Sequence, residues 1–345
     1  MLMKILRWFL LPITLLYTVI IWFRNRLYDY GILKSTSYNL PVIVIGNLAV
    51  GGTGKSPMTE YVLRLVKDKY RVAVLSRGYG RRTKGFYYVE STSDARDVGD
   101  EPLQIKRKFP DNTVAVSENR CIGVEKLKDK HDAILLDDAF QHRKLTPSFS
   151  ILLFDYQSLQ EPILSLPTGN FRDLLQESRR ADVIVVTKSP EVIHSEERFA
   201  IETRFLKYTK APVFFSRIAY QSIIDKNQQF FDTSLLQDTA VLLLTGIANP
   251  IPLYAYLKPR CLQMEHISFP DHHAFTDTDI NRVVRTFNNI LNSKKIILTT
   301  EKDMQRLPQS FVLAYPIYYI PITQEIAFNQ SDVFNTLILR SFVTD

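Results

Sequence analysis

The residues best suited to chemistry gather first in the stretch Gly46-Asn47-Leu48-Ala49-Val50-Gly51-Gly52-Thr53-Gly54-Lys55-Ser56-Pro57. Glycines let backbone N–H groups turn inward onto phosphate oxygens, and a helix beginning there adds partial positive charge. Gly51, Gly52, Thr53, Gly54, Lys55 and Ser56 are therefore the expected nucleotide cradle. Lys55 reaches the β- and γ-phosphates, and the Ser56 hydroxyl holds Mg²⁺. The strict pattern asks for glycine where this chain has Ala49, so Gly51 and Gly52 are expected to carry the turn. Asp137 and Asp138 close the apolar run Ala133–Leu136, an arrangement that sets a carboxylate beside a metal held by the loop serine. Which of the two touches the metal is open.

Three further clusters carry a chemical and a bland reading side by side. In Gly99-Asp100-Glu101-Pro102 the acids read most simply as first-turn residues stabilised by a helix dipole. Beside a phosphate loop, either could bind Mg²⁺ or accept a proton from a nucleophile. Arg77 and Arg81, in Arg77-Gly78-Tyr79-Gly80-Arg81, face phosphate if the loop sits at a strand's C-terminal end; otherwise they form a solvated basic turn. His142 follows the aspartate pair at the same rim. His272 and His273 stand beside Asp271, but with no i, i+4 pair and no third ligand nearby a surface histidine pair is the plain alternative.

These groups need strands to hold them. Val42–Ile45 reads as a buried strand ahead of the loop, with a helix from Met58 to about Asp68 after it. Arg71–Ser76, Thr113–Val116, Ala133–Asp138, Ser150–Asp155 and Ala181–Thr187 are further strands, mostly of the apolar type found in parallel sheets. Leu166–Asp173 is a turn-rich loop. Thr187-Lys188 lacks the aspartate two residues on that guanine readers use, so adenine is the expected base. Pro212–Phe215 and the polar turn Asp225–Gln229 mark a boundary. Beyond it, Ala240–Thr245 and Lys295–Thr299 each run into a polar loop, a smaller repetition of α/β logic.

The 345 residues suffice for two domains, and the net charge of +7 suits an anionic partner: nucleotide, nucleic acid or membrane surface. Cys121 and Cys261 stand far apart, which argues against a disulfide scaffold or a cysteine-ligated metal. Trp8 to Phe23 is sixteen residues without charge, flanked by Lys4, Arg7, Arg24 and Arg26. It falls short of the ~20 residues a comfortable span needs. It ends in bulky aromatics rather than a small-residue cleavage site. A membrane-seated helix is expected, with a helix buried on the body as the alternative; Pro12 bends it or confines it to the stretch after.

Over nearly its whole length the chain resembles the tetraacyldisaccharide 4′-kinases of lipid A biosynthesis. The resemblance rests on the Gly46–Pro57 loop, Ser76-Arg77-Gly78-Tyr79-Gly80-Arg81 and Gly99-Asp100-Glu101-Pro102. It continues through Asp137-Asp138-Ala139-Phe140-Gln141-His142, Phe269-Pro270-Asp271-His272-His273 and Thr300-Glu301-Lys302-Asp303. The family pattern usually has glycine where Ala139 stands. The resemblance implies an α/β protein with a membrane-associated helix (residues 1–28), a P-loop NTPase-like parallel-sheet kinase domain (29–215) and a smaller α/β domain (216–345) closing over the site. It implies ATP and Mg²⁺, with Ser56, Asp137, Asp138 and Glu101 near the metal. The acceptor is the 4′-hydroxyl of an acylated glucosamine disaccharide 1-phosphate at the cytoplasmic face of the bacterial inner membrane. Asp100 activates that hydroxyl, and a histidine of the second domain, His272 by motif position or else His273, tunes it. Arg77, Arg81 and His142 are candidates for phosphate or substrate contacts. No nucleic acid and no obligate protein partner is inferred. Two alternatives remain: a membrane-associated P-loop NTPase that hydrolyses nucleotide to regulate or transport, and a non-catalytic nucleotide sensor.

Overall fold

The computed structural model of the protein describes residues 7–343. The chain divides into two compact units. The first holds the described residues up to Ser93, Asp97–Ile218 and those from Gln324 on; the second holds Asp94–Arg96 and Ala219–Thr323. The first unit carries α1 (Leu11–Asp29), β1 (Val42–Asn47), α2 (Lys55–Val66), β2 (Val72–Ser76), β3 (Tyr87–Tyr88), α3 (Asp100–Lys108), β4 (Thr113–Val116), α4 (Arg120–Leu127), β5 (Ala133–Asp137), β6 (Phe149–Asp155), β7 (Val183–Thr187), α5 (Ser195–Leu206) and most of β8 (Val213–Tyr220). The second carries β9 (Ile224–Asp225), β10 (Ala240–Thr245), α6 (Ile251–Leu257), β11 (Gln263–Ser268), α7 (Asp277–Asn289), β12 (Lys295–Thr300) and β13 (Ile317–Ile320). The chain returns to the first unit within β14 (Ile322–Ile326) and ends in α8 (Ser331–Arg340).

The larger sheet has the order β14-β8-β7-β6-β1-β5-β2-β4-β3. From β8 to β4 the neighbours run parallel, and β3 is antiparallel to β4. Every residue of β1, β2, β5 and β7 is buried, which explains why these strands read as continuous apolar runs rather than alternating ones. β1 is central, between β5 and β6, and Ile45 lies opposite Asp137 in the register. The loops leaving β1, β5 and β2 therefore emerge at one level, at the carboxyl edge where open parallel sheets hold ligands. The smaller sheet, β11-β10-β12-β13-β9, is parallel except for β9. It packs one face on Val283 and Phe287 of α7 and the other on Leu253 and Leu257 of α6.

Two expectations change. The segment 324–345, assigned to the second domain by its place in the sequence, has its described residues in the first unit instead. Phe334 of α8 is fully buried against the rings of Tyr61 and Phe214 (centroids 5.8 and 5.1 Å), and the Tyr61 hydroxyl donates to Asn335 Oδ1 at 2.8 Å. The first domain likewise includes α1 rather than beginning after it.

α1 is built inside out. Its buried residues are Thr14 and Asn25, whereas Ile13, Leu15, Leu16, Val19, Ile20, Trp22 and Phe23 are exposed. This overturns the alternative of an apolar helix buried on the body. Polar contacts hold the opposite stripe. Thr14 Oγ1 pairs with Thr168 Oγ1 at 2.7 Å, the Tyr17 hydroxyl donates to the Arg172 carbonyl at 2.9 Å, and Asn25 Nδ2 donates to Asp173 Oδ1 at 2.8 Å. At the helix end, Arg143 and Arg179 pair with Asp29. Pro12 occupies the first turn, where its missing N–H costs nothing. Among the described residues no helix is long and apolar enough to cross a membrane.

Candidate active site at the phosphate-binding loop

The loop after β1 is shaped by its own polar groups. Asn47, fully buried at the strand end, donates from Nδ2 to the Ala49 carbonyl (2.7 Å) and to Thr53 Oγ1 (2.8 Å), so one side chain ties both limbs of the loop. The Thr187 hydroxyl, at the end of β7, donates to the Thr53 carbonyl at 2.8 Å. Gly51 (φ +107°) and Gly54 (φ +81°) take the left-handed conformations that glycine tolerates. At Gly54 the backbone conformation is what calls for glycine; a Cβ there would stand 2.7 Å from Gln324 Nε2, the mobile end of a side chain that can swing aside. Ala49 is buried, bridges Phe171 and has no positive φ, so its position needs no glycine. Lys55 and Ser56 are the first two residues of α2, as the loop reading requires.

The two aspartates differ sharply. Asp138 adopts φ +50°, which turns it out of the strand line. Its carboxylate accepts from the Arg172 guanidinium and lies 3.9 Å from Lys55 Nζ. Burial works against its charge, but Lys55 and Arg172 outweigh it and hold the group below the usual carboxylate range. Asp137 is buried and accepts from Thr59 Oγ1 at 3.2 Å. Burial, with Glu101 and Asp138 as like-charged neighbours, pushes it up to about 7, against the pull of Lys55 and Arg120. Because the left-handed residue is Asp138, Ala139 stands without strain where the family usually has glycine.

Mg²⁺ is commonly held by one or two carboxylates plus phosphate oxygens rather than by an all-protein cage. The donors here fit that mode. Asp137 is a carboxylate whose charge two neighbouring acids oppose, and a divalent cation relieves that repulsion. Glu101 is close enough to be the second cause of its shift, and Ser56 opens the helix at the same edge. Among the described residues, no group of three His, Cys, Asp or Glu forms a metal site by itself.

The loop after β2 and the start of α3 are packed together by two glycines. Gly78 (φ +69°) and Gly99 (φ +95°) approach so closely that a Cβ on Gly99 would stand 3.2 Å from the Gly78 Cα. That contact sets Asp100 and Glu101 in the first turn of α3, where Asp100 is buried and its Oδ1 accepts from the Glu101 N–H at 3.0 Å. Of the two arginines, Arg77 is exposed. Arg81 is turned inward, donating to Glu118 Oε1 at 2.6 Å and to the Gly85 carbonyl, so it braces its own loop. His142 is half-buried, and burial together with Arg120, Lys144, Arg24 and Arg77 pulls it down to about 4.

In the second unit, His273 is committed. Its Nε2 lies 2.9 Å from Asp279 Oδ2 within the capping box of α7, and its ring stacks on Phe269 at 4.5 Å. His272 is more exposed, has φ +56°, and places Nε2 3.1 Å from Lys302 Nζ. Asp303 is a structural group: buried, it accepts from the Gly246 N–H at 3.0 Å and pairs with Arg306 at 2.6 Å. Lys188 pairs with Asp155 at 2.9 Å, next to the buried Thr187.

Three residues bear on the site without having been singled out in the sequence. Arg120 is buried and donates to the carbonyls of both Asp137 and Asp138 (3.3 Å each); burial draws its guanidinium down to about 10 against the pull of those aspartates. Arg172 reaches Asp138 and Asn47 Oδ1 together. Thr59 supports Asp137. Arg172 lies in the turn-rich Leu166–Asp173 loop, and an arginine there was the one available signal.

A strand, a glycine loop and a helix-opening lysine, with an acidic pair ending the neighbouring strand, define a nucleotide-dependent P-loop protein. The model of the tetraacyldisaccharide-1-P 4′-kinase family matches residues 6–342. The chain belongs to that family. It is 42% identical to the tetraacyldisaccharide 4′-kinase of Bacteroides thetaiotaomicron, over 97% of this chain and 93% of that one. It is also 42% identical to that of Flavobacterium johnsoniae, over 98% of each. A crystal structure of LpxK from Aquifex aeolicus in complex with ATP superposes with a TM-score of 0.79 at 31% identity, covering 98% of this chain and all of the other.

Proposed function

We propose that this protein is an ATP-dependent kinase that transfers the γ-phosphoryl group to the 4′-hydroxyl of a tetraacylated glucosamine disaccharide 1-phosphate. The observation that carries this is the family match over residues 6–342, which contains the Lys55–Asp138 site at the carboxyl edge of the sheet. Family membership favours a lipid kinase over a regulatory or transport ATPase and over a nucleotide sensor.

Phosphoryl transfer needs in-line positioning and charge neutralisation more than covalent help from the protein. The amides of Gly51–Ser56 and the Lys55 ammonium bind the triphosphate. Ser56 and Asp137, with Glu101 close by, would hold Mg²⁺, which when bound would supply positive charge to the transferring group. Asp138 keeps Lys55 and Arg172 aligned on the phosphates. The acceptor oxygen forms its bond to the γ-phosphorus as the bond to the β–γ bridging oxygen breaks and ADP leaves; Asp100 takes the hydroxyl proton. The pairing of Asp100 with His272 rests on the resemblance, with His272 preferred because His273 is engaged by Asp279. Closure of the second unit over the nucleotide belongs to the same reading.

The exposed apolar stripe of α1, flanked by Arg7, Arg24 and Arg26, supports seating on the cytoplasmic face of the inner membrane, as a peripheral or monotopic protein. The deciding experiment supplies γ-labelled ATP, Mg²⁺ and the acylated disaccharide 1-phosphate in detergent. Label in the lipid is expected. Label only as free phosphate means a hydrolase, and Lys55→Ala is the control that must abolish nucleotide binding.

A further inference from the structure

β12 runs into Thr300-Glu301-Lys302-Asp303, where Thr300 caps the short helical turn Glu301–Met304 by accepting from the Asp303 N–H at 3.0 Å. Side chains of this segment clamp the loop after β11. Buried Asp303 accepts from the Gly246 N–H and pairs with Arg306, and Arg306 donates to the carbonyls of Gly246 (3.1 Å) and His273 (3.3 Å). Gly246 is where the loops after β10, β11 and β12 converge. A Cβ there would stand 3.0 Å from Asp303 Oδ1 and 3.4 Å from the Pro270 carbonyl oxygen. Within the clamped loop His272 is held in the left-handed region at φ +56°, which a residue other than glycine adopts where its surroundings enforce it.

Lys302 acts on the ring itself. Its Nζ lies 3.1 Å from His272 Nε2 and 3.9 Å from Asp271 Oδ1. An ammonium has three donors and no acceptor, so the ring nitrogen it meets must offer a lone pair. His272 Nε2 is therefore the bare nitrogen, and the proton of the ring sits on Nδ1. Asp271 would favour the opposite tautomer, but its Oδ2 stands 3.8 Å from Nε2, outside hydrogen-bond distance. We propose that Lys302 is a positioning residue for phosphoryl transfer: it fixes the Nδ1–H tautomer of His272, so that the ring presents a neutral N–H donor to Asp100. This rests on the lipid-kinase reading above, in which His272 pairs with Asp100. A neutral donor orients the carboxylate and leaves it able to take a proton, whereas an imidazolium would bind it as an ion pair and weaken it as a base. The proton of the 4′-hydroxyl passes to Asp100 as the oxygen–phosphorus bond forms, and His272 keeps its own proton throughout.

¹⁵N NMR of the full-length protein in detergent reads the tautomer directly, because protonated and bare ring nitrogens resonate far apart. The chain has six histidines, and the spectrum of His272→Gln identifies the one concerned. At pH 8, without nucleotide or acceptor, His272 should show a protonated Nδ1 and a bare Nε2. Lys302→Met keeps the stem but loses the ammonium, and should let the Nε2–H form appear. Lys302→Arg, again a donor without an acceptor, should keep the wild-type pattern. In transfer assays Lys302→Met should lower kcat by about tenfold, the size of one charge-assisted hydrogen bond, with KM for ATP unchanged. Lys302→Arg should recover most of that loss. A protonated Nε2 in the wild type overturns the proposal, and this result needs no variant to fold. An unaltered tautomer in Lys302→Met also overturns it, and so does a wild-type kcat in that variant despite a changed tautomer. The expected tautomer in the wild type and its loss in Lys302→Met, with no transfer from ATP to the lipid by the wild type, would support the hold of Lys302 on His272 and sink the kinase reading instead.

Discussion

The hydroxyl of Tyr17 donates to the backbone carbonyl of Arg172 across 2.9 Å, and the guanidinium of that arginine engages Asp138 and Asn47 Oδ1. One residue thus joins the amphipathic helix to the carboxylate facing Lys55 and to the side chain that shapes the phosphate loop. A lysine cannot bridge two acceptors with the same planar fork. Arg172→Lys is expected to lower kcat/KM for ATP by roughly tenfold or more, as a charge-assisted pair is lost, and Tyr17→Phe by only a few-fold. Steady-state kinetics of the two variants decide this, and wild-type values for Arg172→Lys would remove the residue from the site.

Asp100 is buried at the first turn of α3, with one carboxylate oxygen engaged by the Glu101 N–H. If it accepts the hydroxyl proton, Asp100→Ala loses about two or more orders of magnitude in kcat while the protein still binds ATP. Near-normal turnover with intact binding would assign the base elsewhere. His272→Ala should shift the pH profile of kcat, an effect that a surface histidine would not have.

Asp137 makes a prediction about stability. Burial and the charges of Glu101 and Asp138 favour its protonated form in the native state, up to a pH of about 7. Unfolded, it releases that proton in the ordinary carboxylate range. Between those limits the native protein holds a proton the unfolded chain does not. Stability therefore falls as pH rises from about 4 toward 7 and stays lowered above that. Asp137→Asn keeps the Thr59 contact and removes the charge. Without nucleotide it should melt higher than wild type at pH 8, with the gain vanishing near pH 4, while turnover is lost. A displacement of one pKa unit is worth about 1.4 kcal/mol, and Arg120 and Lys55, left without that partner, take back part of it. Thermal melts across pH are the measurement; a lower melting temperature for the variant at pH 8 would contradict the account.

The exposed stripe of α1 gives a separable test of membrane seating. Leu16 and Val19 are more than half exposed and lie on the helix face turned away from the Thr14, Tyr17 and Asn25 contacts. Replacing both with lysine should release the protein from membrane pellets and leave its melting temperature unchanged. Removing residues 1–23 should release it too, but at a cost in stability, because Thr14 and Tyr17 go with it. Continued sedimentation of the double variant would place the anchor on another surface.

The strands of the central sheet were legible because both of their faces are buried, which writes Val42–Ile45, Ala133–Leu136 and Val183–Val186 as unbroken apolar runs. The phosphate loop was legible because backbone conformation and phosphate binding restrict its residue types locally. The family was carried by short motifs in a fixed order. Tertiary structure alone decided the rest, because it depends on which distant side chains meet. It set Arg120 and Arg172 beside the aspartates from 17 and 34 residues away. It turned Arg81 inward to Glu118 and returned α8 to the first unit. It also separated two adjacent acids of identical chemistry: Asp138 meets Lys55 and Arg172, while Asp137 is enclosed with Glu101 as a like-charged neighbour. Composition and spacing cannot express that difference, since it arises from burial and from charges brought in by other elements.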